Sequence, residues 1–520
     1  MAADTPKYFG FIDGLIGDRL CGWFLRQGDE TPLSLELLVN DKVVASFVAD
    51  GERGDLAQFA SGDVWHGFTT PRVLRNVPSD AIIKIRVAGT DVEVPRSGMP
   101  FAEYAPLGPQ RSDPRQSSDW RPTRFGRLAE RAEFIGMQKT TLPEVRDLDT
   151  FRSSSFANLV VEPPGSMRLP PCQVANRAVG SYRLQTPSGV ANGGAFPTTL
   201  PFPKMTVTTL ENAYCLQFAP PFLPTQRKII SDFLIPWAPD RAPWFEYAGA
   251  NVYHADVSID LDNAEYDIDT GFYMDHSISD HFGHFVGDCL CRMYAWDIVR
   301  QIFGDVKLII GSRKPCAFQD ELLAAAGVAE DDIVKINNLA RCKRLLLATQ
   351  SLGVEQYATP TAARLWGRIR DHCSRRDISL PDRIYLTRSG MPTRRLLNET
   401  AVEQIFERHG FTIVRPELLT VAQQMVLASN ALLIAGPAGS AMFNLAFQGR
   451  LRSAFILARE ARLQLTEMLL CAGGSCDLWY HAGRDAQPGG VISDGNPWLV
   501  DPRELESNVA DWITASGGSG

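Results

Sequence analysis

The sequence predicts an α/β protein: two doubly wound units in tandem behind a small antiparallel β domain. Three observations carry this. From Arg383 to Gln448 the order reads strand, basic turn, helix, strand, helix, strand, then a small-residue turn opening another helix, which builds a parallel sheet. From Asn251 a similar alternation of apolar strands and amphipathic helices precedes it. Residues 8 to about 95 instead alternate apolar and polar positions in short runs broken at turn pairs.

Taken in order, residues 1–95 form the antiparallel β domain, with LSLELLVNDKVVASFVAD and IIKIRVAGTDVEV turning at Asn40-Asp41 and Gly89-Thr90. Residues 96–150 are rich in Pro, Ser and charge and read as a linker in which LAERAEFIGM is a short helix. Residues 151–380 hold the first α/β unit behind an irregular, Pro- and Gly-rich lead-in to about residue 250. Its elements are a helix at 284–303, strand VKLIIGS, helix DELLAAAG, strand RLLLATQ and a helix around AARLWGRIRDHC. Residues 381–516 hold the second unit and close with the helix DPRELESNVADWITAS. Two such units imply a ligand cleft between them.

A chain of 520 residues exceeds what one hydrophobic core supports, so several domains are expected. The net charge of −8 argues against a nucleic-acid partner. The N-terminus MAADTPKYFGFIDG lacks a basic start, an apolar core and a cleavage signal, and no stretch runs apolar for the length of a bilayer span. A cytoplasmic protein with at most peripheral contact at the inner membrane is expected. The ten cysteines are scattered without a CxxC, which suits buried thiols better than zinc or disulfides.

Three constellations bear on chemistry. The turn GPAGSAMFN follows the strand ALLIA; Gly436, Ala438, Gly439, Ser440 and Ala441 are small enough to leave backbone amides uncovered, and the helix starting near Ser440 aims its positive end into the turn. A diphosphate fits there, although small residues at such a turn also serve tight packing. Arg388, Arg394 and Arg395 follow a strand and make an anion clamp, since guanidinium forks match phosphate oxygens. Asn398 reads as the N-cap of the next helix, and Glu399 as a ligand for sugar hydroxyls or a partner for an arginine. In DHFGHFVGD, His284 and Asp288 share a helix face, so the carboxylate can raise the basicity of the imidazole, or simply hold it in place. Asp280 and His281 lie beside them. The pairs DLD at 260–262 and DID at 267–269 offer carboxylates to a divalent ion, but alternate as on the solvated face of two polar strands. There is no GxGxxG, Walker loop or GxSxG, which removes support for dinucleotide oxidoreductases, ATPases and serine hydrolases.

With those residues in view, the stretch from about 270 to 450 resembles glycosyltransferase family 61, which includes bacterial capsular polysaccharide biosynthesis proteins. The resemblance runs through His284 and Asp288; through IYLTR, Arg394, Arg395, Asn398 and Glu399; and through PELLTVAQQ, where Gln424 matches, with Gly436, Gly439 and Asn444. It implies two Rossmann-like domains facing a cleft, the GT-B type, with inversion at the anomeric carbon. A nucleotide-sugar donor would be held mainly by the second unit, through the arginines, Asn398, Glu399, Gln424, Gly436, Ala438, Gly439, Ser440, Ala441 and Asn444. The acceptor would be a glycan or lipid-linked glycan of capsule, exopolysaccharide or lipopolysaccharide synthesis. His284 would be the base and Asp288 its orienting partner, with no cofactor or metal required. One departure stands at Ala438, where many relatives carry a histidine. GFIDGLIGDRLCGWFL and WHGF give the N-terminal domain a looser likeness to an accessory unit beside glycan-related enzymes. A hydrolase or epimerase of nucleotide sugars, or an inactive glycan-binding or assembly protein, would use the same scaffold.

Overall fold

A computed structural model describes residues 8–517 apart from 17–18, 27–30, 53–64, 72, 75–76, 105–131, 178–181, 188, 193–194, 234–243, 256–258, 277, 312–315, 374–379, 390–394 and 487–496. Arg394 and about half of the expected linker therefore lie outside the described residues. The chain separates into two compact units, Met1–Ser112 and the body from Asp113 onward.

The first unit is antiparallel throughout, as its alternation predicts. Tyr8–Ile16, Arg19–Arg26, Trp65–Thr69 and Gly51–Glu52 form one sheet; Lys42–Val48, Ser34–Val39, Ile82–Val87 and Met99–Pro100 form the other. Asn40 and Asp41 adopt φ of 48° and 62°, the left-handed pair that lets a two-residue hairpin follow the twist of its strands. Inward residues such as Ile12, Leu20, Phe24, Leu35, Leu37 and Ile83 make its core.

The second unit contains two large sheets. One is parallel and runs, in spatial order, Thr412–Val414, Arg383–Leu386, Leu433–Pro437, Ser453–Arg459, Asp477–Asp485 and Cys172–Val174. Both faces are covered, so Leu433–Pro437 and Ser453–Arg459 are buried along their whole length. On one face Glu399–Arg408 and Pro502–Ala515 bring Val402, Ile405, Phe406, Leu505, Val509 and Trp512 against Phe455. On the other, Val421–Asn430 and Pro360–Cys373 join the larger core. From Arg383–Leu386 the chain goes first to the strand on one side, then crosses to Leu433–Pro437 on the other. The carboxyl ends of these two strands are thus a topological switch point, where open α/β sheets bind ligands.

The other sheet departs from the doubly wound expectation. Four strands, Leu339–Ala348, Tyr266–Tyr273, Lys307–Gly311 and Ile333–Ile336, are parallel, but Met205–Leu216 pairs antiparallel with the first and continues the sheet to twelve strands. Other sequence expectations change as well. Glu133–Met137, within the stretch read as a short helix, is a strand of this sheet, because pairing with Lys228–Ile230 and Val252–Ala255 overrides its local preference. Cys172–Val174, within the lead-in to the first α/β unit, pairs with Asp477–Asp485, so a boundary at residue 380 does not divide the two sheets cleanly. None of the ten cysteines is in a disulfide, and eight are buried, including Cys289 and Cys291. Among the described residues no helix is long and apolar enough to cross a membrane.

Trp512 fixes the closing helix to the parallel sheet: it is fully buried, and its indole N–H donates to Ser453 Oγ at 2.7 Å. Trp512→Ala is expected to cost about 3–5 kcal/mol, from the cavity and the lost hydrogen bond together. Denaturant unfolding checks this, and a loss below about 1 kcal/mol would mean the helix does not depend on this anchor.

Candidate active site

The helix expected over 284–303 is continuous but changes pitch. Phe282–His284 is a single α turn, Phe285–Cys289 a π turn, Leu290–Ala295 a 3₁₀ stretch and Trp296–Phe303 regular α. The irregularity coincides with an unusual demand on one carbonyl. Arg292, buried with only 1% exposed, donates from Nε to Asp288 O at 3.0 Å and from Nη1 to Ala348 O at 2.5 Å. The Gln350 amide approaches the same Asp288 carbonyl at 3.3 Å. Side chains thus use an acceptor that a regular helix would bond internally, and π turns of this kind occur at functional sites.

Within this turn His284 Nδ1 lies 2.8 Å from Asp288 Oδ2, the pairing that the sequence predicts. Gln350, which sequence reasoning missed, donates to the other carboxylate oxygen at 3.1 Å. Its place just beyond the carboxyl end of Leu339–Ala348 was the available signal. Burial alone would push the Asp288 carboxyl up, but the His284 hydrogen bond and nearby positive charge, including Arg292, outweigh it and hold it below its ordinary value. Because the folded value is depressed, this carboxylate stabilises the fold above its ordinary titration range, and the contribution is lost as pH falls through the folded value. At neutral pH it stays ionised, so it favours the tautomer that donates from Nδ1–H and carries the lone pair on Nε2. His276, also unforeseen, stacks against His284 at 6.4 Å between ring centroids, and burial lowers its own pKa.

At the switch point, Arg388 follows the end of Arg383–Leu386, and Gly439 follows Leu433–Pro437. Gly439 has φ 143°, and a Cβ there would stand 2.7 Å from Arg388 Nη1. Only glycine lets the guanidinium lie on this turn. Ser440 then starts an eight-residue 3₁₀ helix, Ser440–Phe447. Other parts of the turn are structural, against expectation. Gly436 is a strand residue whose missing Cβ makes room for Leu386 O, which would be 2.6 Å away. The Ala438 N–H is not uncovered: it donates to Leu457 O at 2.8 Å, and Ala438 and Ala441 pack against the core.

Gln424 and Asn444 brace this turn from behind. The Asn444 amide donates to Gln424 Oε1 and to Ala441 O, both at 3.0 Å, and Gln424 Nε2 donates to Pro416 O at 2.9 Å. Both side chains line a small cavity with Ile384, Leu386 and Val414. Asn398 occupies the N-cap position but its side chain caps nothing: it donates to Val500 O at 2.8 Å, because the closing segment offers a better-placed backbone. Arg395 is exposed, and its carbonyl accepts from Trp498 N. Glu399 is buried and holds the Arg388 turn, with Oε1 accepting the Arg388 N–H at 2.6 Å and the Thr387 hydroxyl at 2.9 Å. Glu403 also contacts that hydroxyl, which has one proton to give. Burial foremost, with Glu403 adding to it, pushes the Glu399 carboxyl above its ordinary value despite the Arg388 and Thr387 hydrogen bonds.

The two sets of residues meet. Ser440 Oγ lies 3.4 Å from the ring nitrogens of His281, one turn before His284. A Cβ on Gly283 would stand 3.0 Å from the Phe443 ring and 3.3 Å from Ser440 Cα, and one on Gly287 would stand 2.9 Å from Phe443. The helix carrying the His-Asp pair therefore rests directly on the turn at the switch point. The model of the family Glycosyltransferase 61 matches residues 282–454. The matched stretch begins at this helix and runs through the Arg388 turn, Glu399, Gln424 and the Gly436–Asn444 segment. It supports a glycosyltransferase activity, with a sugar donor and a glycan acceptor in general. No curated protein matches the chain. Of the carboxylates weighed for a metal, Asp267 is held by Arg341 at 2.5 and 2.7 Å, and among the described residues no group of three His, Cys, Asp or Glu side chains is arranged to hold an ion.

Glu399→Ala is expected to lose about 1–3 kcal/mol, because it orphans the part-buried Arg388 N–H. Glu399→Gln keeps an acceptor and should cost less. Since the wild-type carboxyl is raised, its ionisation costs stability as pH climbs from its ordinary value through the folded one, and the Gln variant should flatten that slope. Urea unfolding across this pH window tests both; equal losses and an unchanged slope would show that Glu399 does not hold the turn.

Proposed function

We propose that this chain is an inverting glycosyltransferase that moves a sugar from a nucleotide-sugar to a glycan or lipid-linked glycan hydroxyl, in bacterial capsule, exopolysaccharide or lipopolysaccharide synthesis. One observation carries it: the helix of the His284–Asp288 pair rests on the Gly439–Ser440 turn, over which Arg388 lies, at the switch point of the parallel sheet. A base and an anion site within one cluster are what a single displacement between a hydroxyl and a sugar diphosphate needs.

In this reading His284 Nε2 accepts the proton of the attacking hydroxyl. The new glycosidic bond forms as the bond from the anomeric carbon to the diphosphate oxygen breaks, and its electron pair leaves with the diphosphate. Asp288 fixes the tautomer through Nδ1 and stabilises the imidazolium, while Gln350 fixes Asp288. Arg388, with Arg394 and Arg395 a few residues further on in the sequence, meets the departing charge. No step calls for a divalent ion, because the guanidinium groups supply the positive charge. Gln424 and Asn444 act through the turn they brace.

His284→Ala is expected to lower turnover about 10²–10⁴-fold, the range for removing a general base, while leaving nucleoside diphosphate binding near wild type. Steady-state kinetics with a binding titration checks this. Near wild-type turnover would remove His284 from the base role.

A further inference from the structure

Resting on the glycosyltransferase reading above, we propose that His281 is a donor-site residue that crosses from the lobe of His284 to hydrogen-bond the leaving diphosphate. Sequence reasoning noted His281 only as a neighbour of His284. The structure gives it a separate place. Its exposed ring lies against Ser440, with both ring nitrogens 3.4 Å from Oγ, and its centroid is 5.4 Å from that of His284. It therefore stands between the proposed base and the Gly439–Ser440 turn, over which Arg388 lies.

The backbone holds it there. The His281 N–H donates to Ile278 O at 3.1 Å, and its carbonyl accepts from Phe285 N at 2.8 Å. Gly283, two residues on, brings the helix within 3.3 Å of Ser440 Cα as measured from its Cβ position. Three groups from three segments thus converge: Arg388 over Gly439, the Ser440 hydroxyl and the His281 imidazole. A hydroxyl and an imidazole beside a guanidinium make a hydrogen-bonding set for phosphate oxygens.

The two histidines then divide the work. His284 Nδ1 is committed to Asp288, so Nε2 serves the acceptor side. His281 serves the other side, where an N–H hydrogen bond to the diphosphate strengthens as negative charge collects there during bond breaking. No proton is transferred from His281: the acceptor's proton goes to His284, and the electron pair of the broken bond stays on the diphosphate.

The test titrates uridine, guanosine, cytidine and adenosine diphosphates against the full chain by calorimetry, comparing wild type, His281→Ala and His281→Gln. The best-bound diphosphate should lose at least about tenfold in affinity in the Ala variant, the scale of one hydrogen bond to a charged group. Gln, which keeps an N–H donor, should recover part of it. Because His281 is exposed, both variants should melt near the wild-type temperature, which separates loss of a contact from loss of the fold. Equal affinity in wild type and His281→Ala overturns this role while leaving the donor site standing. Failure of the wild-type chain to bind any of the four overturns the donor-site reading and this role with it.

Discussion

The site depends on how closely two backbones approach where Gly283 and Gly287 meet Phe443 and Ser440. A side chain at either glycine would intrude to about 3 Å or less of the aromatic ring. Their absence lets the helix carrying His284 and Asp288 lie on the turn that carries Gly439 and Ser440. Close packing of this kind does not deform gradually, so the spacing between the His284 helix and the Ser440 turn is set by steric contact rather than by flexible loops. Buried residues from one face of each sheet also share one continuous core, which includes Phe285, Val286, Met442 and Phe443.

On that frame the polar groups are arranged by burial. Asp288 gives up most of its hydration, and in exchange receives His284, Gln350 and the nearby charge of Arg292. Arg292 is itself buried and satisfied by two carbonyls, so it also anchors the π turn. Glu399 plays the corresponding part in the other half, holding the backbone at Arg388 rather than meeting a ligand with that oxygen. In both halves, the residue expected to touch substrate is positioned by a buried carboxylate behind it. Such supporting shells decide whether a catalytic geometry is held tightly enough to be useful.

Much of this was legible in the sequence where local pattern and tertiary environment agree. The strands ALLIA and SAFILAR are continuous apolar runs because both faces are covered, and the helices beside them have one apolar stripe, so the parallel unit could be read almost element by element. The His284–Asp288 contact followed from spacing alone, surviving even the π turn. What failed was what long-range partners decide. Glu133–Met137 is a strand because distant strands claim its backbone. Asn398 leaves its helix for Val500, a hundred residues away in sequence, and Ala438 gives its N–H to a neighbouring strand. Gln350 and His281 carry no motif of their own; only the fold shows that Gln350 holds Asp288 and that His281 lies against Ser440.

The most direct measurement of the central claim is nucleoside diphosphate release from a panel of nucleotide-sugars, read with and without glycan and lipid-linked glycan acceptors. If one cluster joins a base for the acceptor to an anion site for the donor, release from a particular nucleotide-sugar should rise strongly when a suitable acceptor is added, with the sugar recovered on that acceptor in the inverted configuration. Release that is equally fast without any acceptor, with free sugar as the product, would contradict the account and make the same scaffold a hydrolase.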